Sequence, residues 1–209
     1  MGQPLEGDED DWNPQSPYYC HGTYTAQKSA GTEYGSAKKV HLISVKFGMR
    51  TPHGVATGLD KAVSHIHANN RQRKSIVVVT TQSAIPVAAN DPYPEVRAQH
   101  HYLSQLTALG VPVVVSAGNL ARSTHDGRQR VNIDTIPGTL TSRDIPLINV
   151  GSVDFAGNID PHCQRGPLVS SYAMGWSAKI LTLNGDEEDV RGTSYGEAFP
   201  FLIMSSRSY

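Results

Sequence analysis

Two runs of three consecutive valines, Val77–Val79 and Val113–Val115, constrain this chain more than any other feature. An unbroken β-branched run cannot alternate between core and solvent, so it suits a strand covered on both faces. The two triplets lie in the apolar runs Ile76–Thr80 and Val111–Ser116, and Val40–Phe47, Leu147–Val153 and Lys179–Leu183 read as further strands. Between them lie helical patterns. Thr57–Asn70 carries Leu59, Val63, Ile66 and His67 at helical spacing, and Tyr93–Leu109 carries Val96, Leu103, Leu106 and Leu109 before the stop signal Gly110. Strand and helix in alternation predict an α/β domain with a mostly parallel, doubly wound sheet and helices on both faces.

The 209 residues suit one such domain, spanning 20–209, while residues 1–19 are acidic and then Pro/Tyr-rich, which predicts a disordered lead-in. With 18 Lys plus Arg against 19 Asp plus Glu, and no basic block, there is no electrostatic case for nucleic acid or an anionic membrane. No apolar run approaches the roughly 20 residues of a membrane helix, and the Met1 end does not read as a signal peptide. Only two cysteines, Cys20 and Cys163, are present, so a disulfide framework is excluded, and sequence alone gives no distance between them. His65 with His67, and His100 with His101, are too close in sequence to share one helical face as ligands. Without HExxH or a cysteine pair, neither a metal nor another cofactor is expected. Asp186 to Asp189 reads as a solvated loop.

In a sheet of this kind, chemistry sits at the carboxyl ends of the strands. Three short motifs occupy such places. His21-Gly22-Thr23-Tyr24-Thr25-Ala26 puts an imidazole at the start of a small-residue helix, where a cap or surface histidine is the plainer reading. Val113-Val114-Val115-Ser116-Ala117-Gly118-Asn119 leaves an amide standing at a strand's end, either as a simple Gly-Asn turn or as a donor to developing negative charge. Arg191-Gly192-Thr193-Ser194-Tyr195-Gly196-Glu197-Ala198 places a serine on the first turn of a helix, where Thr and Ser are also ordinary caps. Residues 192–196 match G-x-S-x-G as well, but the α/β-hydrolase order needs an acid and a histidine after the serine. GEAFPFLIMSSRSY supplies neither Asp nor His.

In that order and spacing, the three motifs resemble those of the subtilisin-like serine proteases: HGTHVAG at the histidine, a strand ending AAGN, and GTSMAxP at the serine. The segment Gly35 to Lys46 resembles the family's stretch ending in Val-Lys, so the resemblance runs from about Cys20 to Ala198. It implies a serine endopeptidase acting on polypeptides. Ser194 would be the nucleophile, His21 the general base and Asn119 an oxyanion-hole donor. It also implies that Thr81, Gln82 and Ser83, with Ser116, Ala117 and Gly118, border the pocket for the residue preceding the cleaved bond. Gln82 stands where the family usually has Leu.

The family's aspartate is not found. It belongs at the end of an early strand, whereas Asp8, Asp10 and Asp11 sit in the acidic lead-in, so the domain is expected to be incomplete at both its N- and C-termini. Beyond the serine, Glu197 brings a charge into a helical turn and Pro200 interrupts the helix. Cys20, beside His21, reads as a target for thiol reagents. Three accounts remain open at this point. The chain is a piece of a longer protease, a catalytically inactive relative that binds polypeptide, or an unrelated nucleotide-binding domain, which the lack of GxGxxG and GxxxxGK[ST] disfavours. Compartment and oligomeric state are not legible.

Overall fold

The computed structural model describes residues 20–46 and 51–197. In chain order its elements are α1 (His21–Ala30), α2 (Pro52–Ala68), β1 (Val77–Val79), α3 (Pro94–Ala108), β2 (Val113–Ser116), β3 (Thr124–His125), β4 (Arg128–Gln129), β5 (Ile148–Val153), β6 (Ser171–Met174), β7 (Trp176–Leu181), β8 (Glu187–Arg191) and α4 (Thr193–Gly196). Strands β1, β2, β5 and β6 form a parallel sheet in the order β1-β2-β5-β6, with Val77 opposite Val113 and Val114 opposite Ile148. The α/β class and the parallel sheet expected from the valine triplets are therefore present.

The central strands β2 and β5 are buried on both sides, as an unbroken β-branched run requires. At the edges, β1 leaves Val77 and Val78 half-buried and β6 is partly exposed. On one face Val79, Val113, Val115 and Leu147 join Val55, Leu59, Val63 and Ile66 of α2 and Val96, Leu103 and Leu106 of α3 in the main core. Val114 and Val150 project from the other face of the pleat and are also fully buried. Each large aliphatic side chain so buried contributes roughly 1.5–3 kcal/mol.

Several expectations change. Residues 41–46 form no strand, and Val40, Leu42 and Ile43 are exposed; Phe47 lies outside the described residues. An apolar run becomes a strand only where a neighbour completes its ladder, and no described strand pairs with this one. Lys179–Leu183 does not enter the parallel sheet. It falls largely in β7, which pairs antiparallel with β8 as a separate ribbon, Lys179 opposite Asp189. The acids from Glu187 onward are therefore strand residues rather than a loop, and their exposure lets a two-stranded ribbon carry them. The short strand β6, four residues long and half of it exposed, carries no clear sequence signal. Helix α2 begins at Pro52, ahead of Thr57, because Thr51 Oγ1 accepts the Gly54 N–H at 3.1 Å and proline suits the first turn.

β3 and β4 form a small exposed hairpin whose turn residues Asp126 and Gly127 both have positive φ, 48° and 72°. That pair of angles matches the twist of a two-residue hairpin. Both cysteines are free thiols and buried. Burial pushes the Cys163 thiol up, and Cys20 is only 5% exposed, so it is not the accessible target its position suggested. The acidic lead-in, Ala198 and Pro200 lie outside the described residues.

Candidate active site

Because β1 and β2 are adjacent, parallel and in register, their carboxyl ends deliver residues 80–83 and 116–119 side by side. Strand neighbours run about 4.8 Å apart, so the two segments leave the sheet side by side. The glycine turn at Gly192 brings α4 across these ends. Ser194, 6% exposed, donates its hydroxyl to the Thr80 carbonyl at 3.3 Å.

Asn119 is tied to the residue before that serine. Its Oδ1 accepts from the Thr193 N–H at 2.9 Å and from Thr193 Oγ1 at 3.1 Å, while Thr193 Oγ1 accepts the Gly118 N–H at 3.3 Å. With Oδ1 committed to two donors, the orientation of the amide is set. Its Nδ2 stands beside Gly192, 3.3 Å from where a Cβ on that glycine would lie. An N–H there is a neutral donor at an exposed position, held without its own carbonyl competing for the same space.

His21 opens α1 after Cys20, whose φ of 57° turns the chain into the helix. The imidazole is half-buried, and its ring centroid lies 5.8 Å from that of Tyr195, the residue next to Ser194. The three sequence motifs thus converge on α4, one through Thr80 and Asn119 and another through Tyr195. Asp8, Asp10 and Asp11 lie outside the described residues.

Behind the serine the turn is anchored by groups the sequence did not advertise. Arg191 donates to both carboxylate oxygens of the buried Asp160, at 2.9 and 2.5 Å, and its guanidinium lies over the Trp176 ring, 4.4 Å from the centroid. Burial alone would raise the Asp160 carboxyl; the Arg191 bonds and those from His162 outweigh it and hold it below the usual range. Glu197, three residues after Ser194, is fully buried, and neither carboxylate oxygen has a hydrogen-bond partner among the described residues. Desolvation raises its pKa well above the ordinary carboxylate value.

The six residues that the resemblance assigns to a pocket lie together at the carboxyl ends of β1 and β2. Thr81 and Gln82 are half-buried, and Ser83 is buried, its N–H donating to the Ile136 carbonyl and its hydroxyl to Ile85 O, each at 3.0 Å. Ser116, Ala117 and Gly118 form the facing wall, buried, with Gly118 at φ 104°. Thr135 and Gln164 join them from distant loops, through contacts no short motif encodes. Gln164 N–H donates to the Gly118 carbonyl at 2.8 Å, and Thr135 Oγ1 donates to Gln82 Oε1 at 3.2 Å.

Comparison with known proteins places the fold among known ones. No protein-family model matches the chain. It is 34% identical over 180 residues to subtilisin-like protease 3 of Trichophyton tonsurans, a match covering 83% of the chain and 39% of that relative. It is 25% identical over 173 residues to subtilisin-like protease 1 of Pseudogymnoascus destructans, covering 83% of the chain and 38% of the relative. The chain therefore spans about two fifths of the length of the curated relatives it matches. In fold it is similar to a cold-adapted subtilisin-like serine proteinase, at a TM-score of 0.66 and 21% identity over 88% of the chain and 59% of that structure. The resemblance to subtilisin-like proteases extends over most of the chain in both sequence and fold, and the domain is partial beside them.

Proposed function

We propose that this subtilisin-like chain carries the nucleophile, base and oxyanion donor of a serine endopeptidase that cleaves polypeptides through an acyl-enzyme. Ser194 Oγ attacks the scissile carbonyl carbon as His21 accepts its proton. The oxyanion that forms is held by Asn119 Nδ2 and the Ser194 N–H, and His21 then passes the proton to the leaving amine. Water, activated by the same imidazole, releases the acid and restores the serine. The hydroxyl now donating to Thr80 O must rotate toward His21 for the first step.

The observation that carries this reading is the double hydrogen bond from Thr193 to Asn119 Oδ1, because it fixes which end of the amide is left as the donor beside the serine turn. An ordinary Gly-Asn turn has no need of that tie. Aiming a preset dipole at a developing charge is the larger part of what such a site supplies.

The test is labelling of the purified chain with a fluorophosphonate, beside Ser194→Ala and His21→Ala. Labelling lost in both variants, with folding checked by circular dichroism, supports a working Ser–His pair. A folded chain that stays unlabelled leaves a polypeptide-binding domain without hydrolysis as the reading to pursue.

A further inference from the structure

On the hydrolytic reading, the slot for the residue on the acyl side of the cleaved bond lies between residues 80–83 and 116–118, and side chains crowd it at Gly118. A Cβ placed on Gly118 would lie 2.2 Å from Gln164 Oε1, 2.6 Å from Gln82 Oε1 and 3.0 Å from Gln82 Nε2. Two carboxamides therefore press against the one residue of this wall that has no side chain of its own.

The two are held differently. Gln164 is fully buried, and its Nε2 donates to Arg130 O at 3.0 Å, Asn132 O at 2.8 Å and Asp134 Oδ1 at 2.8 Å. The buried Arg130 guanidinium locks that floor in turn. It grips both Asp134 oxygens at 2.8 and 2.9 Å and donates to Ala84 O at 2.8 Å, joining the floor to the opposite wall. Gln82, by contrast, is half-buried and reaches across the slot to a single described partner, Thr135 Oγ1. Gln164 is a fixed wall, and Gln82 is a side chain that can be removed without unpicking the floor.

Chemistry points the same way as space. Gln164 Oε1 is buried without a donor among the described residues. That oxygen is already dry and unpaired, so only a side chain that donates to it would gain there, and an apolar one offers no donor.

We infer that Gln82 and Gln164 close this slot to bulky side chains and restrict the residue on the acyl side of the cleaved bond to glycine or alanine. This rests on the hydrolytic reading above for the identity of the slot. Gln82 is the specificity-determining residue, and Gln164 the wall it works against.

The experiment separates the slot from the chemistry by measuring binding in the full chain with Ser194→Ala. Fluorescently labelled peptides of one sequence, ending in Gly, Ala, Leu or Phe, are titrated by anisotropy. The Gly and Ala peptides are expected to bind at least about tenfold more tightly than Leu and Phe, the discrimination that one or two methylenes carry in a closed pocket. Adding Gln82→Ala should reduce that ratio about tenfold, and Gln82→Asn, which keeps the amide but shortens it, should fall between. Equal binding of all four peptides, preference for Phe, no binding of any, or a ratio that Gln82→Ala leaves unchanged in a folded variant would each overturn the inference. Fluorophosphonate labelling of the Ser194 chain is run in parallel. If it fails while the peptide preference holds, hydrolysis is refuted and the slot remains as a binding specificity.

Discussion

Asp160 and Arg191 join the loop after β5 to the residue preceding the serine turn, with two charge-assisted bonds of 2.9 and 2.5 Å into a buried carboxylate. Gly192, between Arg191 and Thr193, is thereby pinned from behind, while its N–H donates to Gly175 O at 2.8 Å. Asp160→Asn should lower stability by about 2 kcal/mol, the range for bonds to a charged partner, moderated because Arg191 keeps part of its contact with water. The folded pKa of Asp160 lies below its unfolded value, so its stabilisation is present above the unfolded pKa and lost as pH falls through the folded one. The deficit of the variant, read by thermal unfolding, should therefore be full at pH 7 and shrink in strong acid. A deficit independent of pH would remove the ion pair from the explanation.

Glu197 behaves in the opposite sense. Its folded pKa is raised by burial, so the folded state keeps a proton the unfolded chain releases. Stability then falls as pH rises above the unfolded value, by at most about 1.4 kcal/mol per unit, until the folded pKa is reached. Glu197→Gln conserves volume and removes the charge. Its urea midpoint should match the parent near pH 4 and exceed it increasingly toward pH 8. An equal gap at both ends would mean that the carboxyl is not held neutral.

Gly118 cannot be replaced cheaply. Its φ of 104° strains any L side chain, and a methyl there would collide with Gln164 Oε1 at 2.2 Å. Gly118→Ala is expected to destabilise the chain by about 2–4 kcal/mol, combining backbone strain with overpacking. A melting temperature within a degree of the parent would show that both glutamines yield freely, which would also weaken the account of the slot.

If the chain hydrolyses peptides, Asn119→Ala should reduce kcat by about 10²–10³ with little change in KM. That magnitude is taken from subtilisin, the type case for this donor. Thr193→Val should give a smaller loss, because it removes the hydroxyl that helps hold Asn119 Oδ1 but leaves the backbone N–H in place. Rates of single turnover on a peptide ester would measure both. A Thr193→Val loss as large as that of Asn119→Ala would indicate a folding defect rather than misorientation of the amide.

The parts of this architecture written in local sequence were legible without coordinates. Val77–Val79 and Val113–Val115 announce parallel strands by themselves, though β1 proves an edge strand with only Val79 buried, and Asn119 and Ser194 sit in short motifs whose residues are consecutive. Val40 to Lys46 carries enough apolar residues to suggest a strand, but strand formation depends on a neighbour that composition does not report. Gln164, Thr135 and Asp160 were missed for a related reason. Each acts through one contact with a residue far away in the chain, and a lone glutamine, threonine or aspartate in a loop carries no periodicity to mark it. Glu197 was singled out as an odd charge in a helical turn, yet its complete burial is a property of what surrounds it.

The β3–β4 hairpin offers a practical handle. Thr124, His125, Arg128 and Gln129 are all exposed, and nothing lies within 4 Å of the Cβ position at Gly127. Tight turns that project into solvent tolerate insertion better than any packed segment. The hairpin is closed at its base by the Arg130 N–H to Ser123 O bond, made by the same residue whose guanidinium grips Asp134 and Ala84 O. A small environment-sensitive dye carried on this turn would thus sit outside the fold yet be mechanically joined to the specificity slot, making the hairpin a built-in mounting point for a sensor of peptide occupancy.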